Sequence, residues 1–485
     1  MDHRPSAFRP GHARPTRRAV LAGAGASVVL RPGSAPAAGF DGLEDTVARQ
    51  ARTLAAGRDV TLRLTLPEGS GANVGPVIAA FTERTGIAVT VTETQVDDIN
   101  TRLILDTISG INSFDVALPA TFGLPDLVAA EVIHPLNAFA ARYEPPGFRD
   151  GILYSTGDRF DGELYGFQTD GDTYLMFYNT DMLNDPGERS RYADQTGEAL
   201  AIPRTWAELD RQIAFFHRPE DGQYGGALFR FPGYLGWEWW VRFHAKGMLP
   251  FADDLTPQIA GAEGVAALEE MIAVTRYLIP DVRSVGLFEN WTRFAEGNVY
   301  CNIGWGGTQK HLNEPESPMR GKLVHGPTPG GTVDGKRVDT PYFNWGWNYV
   351  VSRRSRETEI AYLFCLFAAS PAISTLSVGQ PDGFLDPFRP EHYDDPMIRE
   401  LYGDAFLAVH RDSLESSIPD LYLANQSEYF YILNEWIDLA LSGEVQPADA
   451  LRRIEVEWEL ISHRAGREVQ RKRWMNLVGR YPGNR

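Results

Sequence analysis

The sequence contains very little cysteine. Cys301 and Cys365 are its two cysteines in 485 residues, too few for a disulfide framework. Because an unpaired cysteine usually behaves as a small hydrophobic residue, we expect both thiols to be buried and free.

The common catalytic and metal-binding motifs are absent as well. The chain has no H-E-x-x-H, C-x-x-C or G-x-S-x-G sequence, so the usual zinc and serine-hydrolase sites have no basis. Residues 304–310 (GWGGTQK) superficially resemble a phosphate loop but lack the G-K-[ST] ending. We therefore predict no catalytic residue, no cofactor and no metal site.

Positive charge is scarce relative to negative charge. The chain has 46 Lys and Arg against 64 Asp and Glu, a net charge of −18. Nucleic acids and anionic membranes both require a basic surface, so we predict no partner of either kind. After the N-terminal region, no apolar run reaches the roughly 20 residues that span a bilayer.

The N-terminus has the features of an export signal. Five arginines precede the small apolar run 19–30, and residues 35–37 (APA) form an A-x-A cleavage site. Residues 16–21 (TRRAVL) resemble the twin-arginine signal of bacteria. We predict that residues 1–37 are a signal peptide and that the mature protein is periplasmic. Removing its six arginines and one aspartate would change the net charge from −18 to −23.

The rest of the chain alternates between strand and helix patterns. Residues 60–66 (VTLRLTL) alternate as a strand does, apolar residues then recur at helical spacing until Gly86, and residues 87–91 read as a second strand. This β-α-β order predicts an α/β sheet, in which ligands bind at the carboxyl ends of the strands. Further helices are predicted after the capping residue Thr205 and over residues 263–279 and 447–467, whereas 181–203 reads as polar turns.

One stretch, residues 296–310 (EGNVYCNIGWGGTQK), combines a short strand with a glycine-rich turn. The apolar run 299–303 ends at Gly304, and Thr308 is a candidate N-cap for a following helix. Glycines allow a close backbone approach, and Trp305 offers a flat apolar face beside backbone donors. A sugar is a polar ligand with such apolar faces.

Five aromatic residues lie beside glycines in predicted turns, where a purely structural role is less expected. They are Tyr234, Trp237, Trp305, Trp345 and Trp347. Carbohydrate sites stack rings on sugar faces and bind hydroxyls with carboxylates. The carboxylate pair Asp170 and Asp172 fits this pattern and also fits a glycosidase, although close acidic pairs arise by chance among 64 acidic residues.

Several segments, in order, resemble the bacterial extracellular solute-binding proteins of ABC importers, specifically the carbohydrate-binding group typified by the maltose-binding protein. The similarity runs from residue 60 to about residue 463. The matching segments are FTERTGIAVTV (81–91), DVAL (115–118), LYGF (164–167), YNTDML (178–183), PRTWAEL (203–209), FAEGNVYCNIGW (294–305) and SGEVQPADAL (442–451).

The resemblance implies an α/β fold of two lobes, each a mixed sheet flanked by helices, that close on a ligand about hinge crossings. The N-terminal lobe would comprise residues 38–170 and 347–385, and the C-terminal lobe residues 171–346 and 386–485. The protein would be a monomer that delivers its ligand to permease subunits in the inner membrane. The crossings are expected near 168–174, 342–347 and 384–388.

The resemblance also implies a set of ligand-binding residues in the cleft. Glu68 and Ser70 follow the first strand, Thr121 follows the third, Asp170 and Asp172 lie at the first crossing, and the turn supplies Trp305 and Gly306. The aromatic members are Tyr234, Trp237, Trp345, Trp347, Phe430 and Tyr431. The family's basic residue after Glu68 is replaced here by Gly69 and Ser70, which argues against maltose itself.

We therefore expect a binding protein for a sugar, a sugar alcohol or a short oligosaccharide. Two alternatives stay open at this point. A polyamine would use the same carboxylates and rings as a cationic cage, and a periplasmic glycoside-acting enzyme would use the paired carboxylates for catalysis.

Overall fold

A computed structural model describes residues 40–481 of the chain. The predicted signal peptide, its twin-arginine motif and its cleavage site lie outside these residues. The α-helices, in chain order, are α1 Leu43–Ala55, α2 Gly71–Thr85, α3 Ile99–Ile108, α4 Leu124–Ala129, α5 Asn137–Tyr143, α6 Thr180–Leu183, α7 Pro186–Thr196, α8 Trp206–Phe216, α9 Leu235–His244, α10 Ala262–Thr275, α11 Leu287–Ala295, α12 Gly306–Leu312, α13 Thr358–Ala368, α14 Pro371–Val378, α15 Pro390–Asp394, α16 Pro396–Tyr402, α17 Asp404–Ser416, α18 Gln426–Leu441, α19 Pro447–Arg464 and α20 Arg467–Leu477.

The strands form two larger sheets and two small hairpins. They are β1 Thr61–Pro67, β2 Ala88–Thr94, β3 Val116–Ala117, β4 Arg159–Phe160, β5 Glu163–Leu164, β6 Gly166–Gln168, β7 Thr173–Asn179, β8 Tyr224–Ala227, β9 Val299–Gly304, β10 Leu323–Pro327, β11 Gly331–Val333, β12 Lys336–Val338, β13 Tyr342–Phe343, β14 Asn348–Val351 and β15 Ile418–Pro419. The hairpins pair β4 with β5 and β11 with β12.

The first sheet has the order β2-β1-β3-β14-β6. Strand β1 runs parallel to its neighbours β2 and β3, whereas β14 is antiparallel to both of its neighbours. Leu62, Leu64 and Leu66 of β1 are all buried, as the alternating pattern predicts for a strand with one covered face. Helix α2 follows β1 and ends where Gly86 adopts a left-handed conformation with φ 71°.

The second sheet has the order β15-β13-β7-β9-β8, and β10 also pairs with β7. Strand β7 is buried along its whole length. The chain passes from the first sheet to the second between β6 and β7, and it returns between β13 and β14. A later crossing follows α14. Helix α14 packs against α2 beside the first sheet, whereas α16 packs against α12 beside the second sheet, so the chain passes between the sheets between α14 and α16. This mixed α/β architecture of two lobes joined by crossings confirms the predicted fold class.

Some local predictions were wrong. Helix α12 begins at Gly306, so Thr308 lies inside it and stabilises its start by accepting a hydrogen bond at Oγ1 from the Trp305 N–H (3.2 Å). Residues 181–203, read as polar turns, contain most of α6 and all of α7, because Asp185 caps α7 by accepting from the Glu188 N–H (2.8 Å). The last predicted helix stops at Arg464, and a separate α20 follows.

Both cysteines are free and buried, as expected. Burial also raises the pKa of each thiol above its ordinary value, so neither is activated as a thiolate. Within residues 40–481, no single helix is long and apolar enough to cross a membrane, although α13 and α14 together, with a 68° bend between them, would pass on length and composition.

Candidate functional site

A cluster of aromatic rings forms at the crossing between β13 and β14, which carries Trp345 and Trp347. Trp305, at the end of β9, lies 5.6 Å from Trp345 and 6.0 Å from Trp237, measured between ring centroids. Tyr234 stacks on Trp237 at 5.1 Å, with 12° between the ring planes. Trp345 also contacts Trp347 at 6.0 Å. The structure therefore brings all five of these aromatic residues into one cluster, although Trp237 lies inside helix α9 and not in the predicted turn.

A cavity opens beside this cluster and contains about 350 Å³ of atom-free space, including some that is open to solvent. Its lining is aromatic and aliphatic apart from one carboxyl group, that of Asp172. The remaining lining residues are Val96, Leu287, Phe288, Trp291, Trp305, Gly307, Trp345, Trp347 and Phe384. A cavity with apolar faces and a small number of polar groups is the usual form of a small-molecule site.

Asp172 belongs to a group of three buried aspartates. One carboxyl oxygen from each of Asp170, Asp172 and Asp386 lies within 4.8 Å of the others. The backbone N–H of Asp386 donates to Asp170 (2.6 Å), and that of Gly346 donates to Asp172 (3.3 Å). Asp386 accepts hydrogen bonds from the Gly306 N–H (2.6 Å) and the Tyr402 hydroxyl (2.8 Å).

The buried ammonium group of Lys310 is the nearby positive charge. Its Nζ donates to the carbonyl oxygens of Val378, Gln380 and Leu385 at 3.0 to 3.2 Å. Burial lowers the pKa of Lys310 to about 8, against the opposing effect of Asp386 and Asp170. Lys310 is the lysine of the sequence GWGGTQK, which superficially resembled a phosphate loop. In the structure its ammonium group binds backbone carbonyl groups at the end of α14 and in the segment between α14 and α15.

Burial raises the pKa of all three aspartates. The neighbouring carboxylate of Asp386 adds to this effect at Asp170, and both neighbours add to it at Asp172. Burial also raises the pKa of Asp386, and the positive charge of Lys310 is the main effect that opposes this increase. Three carboxyl groups with one ammonium favour keeping protons within the cluster.

The same cluster is the one group of acidic, histidine or cysteine side chains within residues 40–481 that has the spacing of a metal site. Both Asp386 oxygens and one oxygen each of Asp170 and Asp172 already accept hydrogen bonds from protein donors. A hard cation such as Ca²⁺ takes six to eight oxygen ligands. The donor set is better matched to proton sharing and to a hydrogen-bonding ligand.

The aspartate cluster predicts a specific dependence of stability on pH. Because the folded-state pKa of Asp170 is raised, the folded protein binds more protons than the unfolded chain above about pH 4, so its free energy of unfolding falls as pH rises. In the Asp170→Asn variant the free energy of unfolding should decrease less steeply with pH. At pH 8 the variant should be more stable than the unmodified protein by on the order of 1 kcal/mol.

Urea unfolding of both proteins at pH 4.5, 6 and 8 checks this expectation. Asparagine can still accept the bond from the Asp386 N–H, so the variant changes charge with little change of shape. A stability difference that is the same at all three pH values would contradict the raised pKa.

A buried ion-pair network fixes helix α9, which carries Trp237. Glu238 accepts two hydrogen bonds from Arg230 (2.5 and 3.0 Å) and one from Arg242 (2.8 Å). Arg242 also pairs with Asp210 through two bonds of 2.7 and 2.8 Å. The two arginines lower the pKa of Glu238 despite the cost of burial, so the carboxylate stays charged inside the lobe.

Hydrogen bonds also cross from one lobe to the other. The Tyr234 hydroxyl donates to the carboxylate of Asp97, which follows β2, at 3.0 and 3.1 Å. Asp126 of α4 accepts from the backbone N–H groups of Gln426 and Ser427, both at 3.0 Å, at the start of α18. These bonds tie the lobes together at the cleft.

The structure places four of the predicted ligand residues in the cavity lining, namely Asp172, Trp305, Trp345 and Trp347. The amide of Gly306 is occupied by Asp386. Phe430 packs on Trp240, and Tyr431 is 65% exposed on the outer face of α18.

The polar residues predicted after the first and third strands have protein partners. Glu68 is exposed and accepts from Gln95. The Ser70 hydroxyl donates to the carbonyl of Pro67 (2.8 Å), and that of Thr121 donates to Asn348 (2.5 Å). None of these three lines the cavity described above.

Sequence reasoning missed Asp386, Lys310, Phe384 and Trp291. Asp386 and Phe384 lie in the third predicted crossing, so a closer reading of that segment could have found them. Trp291 carried no signal, because its helical spacing reads as an ordinary core residue.

A family model described as "bacterial extracellular solute-binding protein" matches residues 77–401. Among curated proteins, the chain is 25% identical over 300 residues to a probable amino-acid ABC transporter periplasmic-binding protein of Sinorhizobium fredii, covering 60% of this chain and 64% of that one. It is 24% identical over 267 residues to a mannitol-binding protein of Pseudomonas aeruginosa, covering 53% of this chain and 52% of that one. The alignments thus span less than two thirds of each curated relative.

Solved structures share the fold. A solute-binding protein of Agrobacterium radiobacter in complex with ribitol superposes with a TM-score of 0.71 at 19% identity, covering 83% of this chain and 98% of that one. Maltose-bound MalE3 of T. maritima superposes with a TM-score of 0.70 at 18% identity, covering 83% of this chain and 100% of that one. A protein of Agrobacterium vitis with bound D-mannitol gives 0.69 at 17% identity, covering 84% and 99%.

Proposed function

The chain belongs to the bacterial extracellular solute-binding proteins, and on that premise we propose that it captures a sugar, a sugar alcohol or a short oligosaccharide for an ABC importer. The aromatic cavity beside Asp172 is the observation that carries this proposal. Indole and phenyl faces suit the C–H faces of a sugar or polyol, and the carboxyl group of Asp172 can accept or donate hydrogen bonds to hydroxyls.

Four of the five relatives described above support the same class of ligand, whereas the fifth is a probable amino-acid ABC transporter periplasmic-binding protein. Two of the structural neighbours hold sugar alcohols, one holds maltose, and one curated relative is a mannitol-binding protein. The family and its neighbours are binding proteins, which favours capture over turnover.

A cationic solute such as a polyamine is the second candidate, and the aspartate cluster favours it. Asp172 lines the cavity and is grouped with the buried Asp170 and Asp386, and within residues 40–481 Lys310 is the cation that offsets their charge. An ammonium group held between these carboxylates and the tryptophan faces would gain both charge pairing and cation–π attraction.

The two lobes are proposed to be residues 38–170 with 347–385 and residues 171–346 with 386–485, closing about the crossings. The protein would act as a periplasmic monomer, be exported by the twin-arginine route and dock on permease subunits in the inner membrane. The distribution of strands between the two sheets is compatible with these boundaries.

A thermal-shift screen separates the two ligand classes. Ribitol, mannitol, monosaccharides, maltose, putrescine and spermidine would each be added to the same protein. A ligand at a hundred times its dissociation constant stabilises the fold by about 2.7 kcal/mol, which gives a clear rise in Tm. Stabilisation by polyamines alone would replace the sugar proposal with the polyamine proposal. If none of these compounds raised Tm, both ligand proposals would be wrong.

The bond between Tyr234 and Asp97 predicts an effect on ligand release. If the cleft closes over the ligand, Tyr234→Phe removes a bond of the closed form while keeping the ring that stacks on Trp237. We expect the off-rate of a ligand identified in the screen to rise about threefold to tenfold, corresponding to about 1 kcal/mol, with a smaller change in the on-rate. Stopped-flow fluorescence measures both rates.

Tyr300→Phe is the matched control, since this buried hydroxyl bonds Gln212 inside the second lobe. Its off-rate should match that of the unmodified protein. Equal off-rates for Tyr234→Phe and the unmodified protein would mean that the bond is not part of ligand retention.

A further inference from the structure

A second groove lies apart from the aromatic cavity and shares no lining residue with it. It contains about 710 Å³ of atom-free space, including space open to solvent. One wall is the segment 155–162, which includes the β4–β5 turn beside the first sheet. The other wall is formed by Tyr422, α20 and the turn that ends at Arg480.

Three arginines line this groove, against one acidic residue. Arg473 binds the carboxylate of Asp161 through bonds of 2.7 and 2.9 Å, and its guanidinium lies 4.7 Å from the ring centroid of Phe160. Arg480 donates to the hydroxyl of Thr156. Arg159 forms no salt bridge with any residue between 40 and 481. Arg480 likewise forms no salt bridge with any of these residues, so the groove lining holds three guanidinium groups against one carboxylate.

The remaining polar lining groups are the side chains of Ser155, Thr156 and Asn476. Hydroxyl and amide groups beside guanidinium groups are the donors that bind phosphate and carboxylate oxygens, and guanidinium groups bind them in a bidentate manner.

We propose that this groove is a binding site for a small multivalent oxyanion, phosphate or a polycarboxylate. Arg159 comes from the wall beside the first sheet, whereas Arg473 and Arg480 come from the C-terminal helix and turn. An anion held by all three would strengthen the connection that Arg473 and Asp161 already make between these walls.

Isothermal titration with inorganic phosphate and, separately, with citrate tests the site at constant ionic strength and pH 7.5. The test variant is Arg159→Gln/Arg480→Gln, which keeps the Arg473 and Asp161 pair intact. The matched control is Arg189→Gln/Arg204→Gln, because these two exposed arginines lie outside the groove and the change in net charge is the same.

We expect saturable binding of at least one of the two anions, a loss of affinity of tenfold or more in the groove variant, and unchanged affinity in the control. Preference for phosphate or for citrate identifies the source of the oxyanion. Absence of saturable binding, or equal loss of affinity in both variants, would overturn the proposal, since it would show either no site or a general effect of net charge.

Discussion

Glu238→Ala is expected to destabilise the protein by about 3 to 5 kcal/mol, because removing one partner of a buried ion pair leaves the other charges uncompensated. Here the cost falls on two arginines at once. Arg230 and Arg242 are essentially inaccessible to solvent and converge on the same carboxylate. The helix that carries Trp237 would lose the anchor that fixes its position.

Urea unfolding followed by far-UV circular dichroism measures this effect. Asp438→Ala is the control, since Asp438 pairs with Arg283 at the surface, and exposed pairs contribute about 1 kcal/mol or less. A Glu238→Gln variant keeps the shape and one of the two acceptor oxygens while removing the charge, so its stability should fall between those of the other two variants. A Glu238→Ala protein as stable as Asp438→Ala would mean that the network is not needed for the fold.

Parts of the site that depend on local pattern were predictable from the sequence. The strand–turn–helix at Trp305 follows from an apolar run, a cluster of glycines and a polar helix start, and the structure has those three elements in that order. Tryptophans beside glycines were a second local signal, and Trp305, Trp345 and Trp347 do line one cavity. Local propensity decides such features, so they can be read from a few neighbouring residues.

The parts that depend on distant contacts were not predictable in the same way. Asp386 meets Asp170 across more than two hundred residues, and Lys310 binds carbonyl groups about seventy residues further along the chain. Nothing in the sequence next to Lys310 indicates a buried ammonium group. Only the folded arrangement of the crossings places one lysine among three aspartates.

Helix α18 shows a limit of a different kind. Phe430 and Tyr431 are neighbours in the sequence, so a helix turns them about 100° apart. The structure buries Phe430 against Trp240 and exposes Tyr431 to solvent. A resemblance can identify the helix that faces a cleft, but the phase of the helix decides which of its aromatic residues points inward.

Trp305→Ala should have the largest effect on ligand binding, with a loss of affinity of about tenfold to a hundredfold, or about 1.4 to 2.8 kcal/mol. Its ring lines the cavity and contacts Tyr174, Trp237 and Trp345. The same contacts make it a core residue that is 3% exposed. The variant should therefore also lose about 3 to 5 kcal/mol of stability, as large-to-small changes in a core do.

Because the alanine variant combines both effects, Trp305→Phe is the sharper test. It keeps an aromatic face but loses the hydrogen bond from the indole N–H to Asn344 (2.9 Å). Trp458→Phe is its match, since Trp458 is a core tryptophan of α19 whose indole N–H donates to the carbonyl of Tyr429 (3.0 Å). Both should lower Tm to a similar extent, and only the change at Trp305 should weaken binding in isothermal titration. If the two variants bind the ligand equally well, Trp305 serves the core of the second lobe and the ligand lies elsewhere in the cleft.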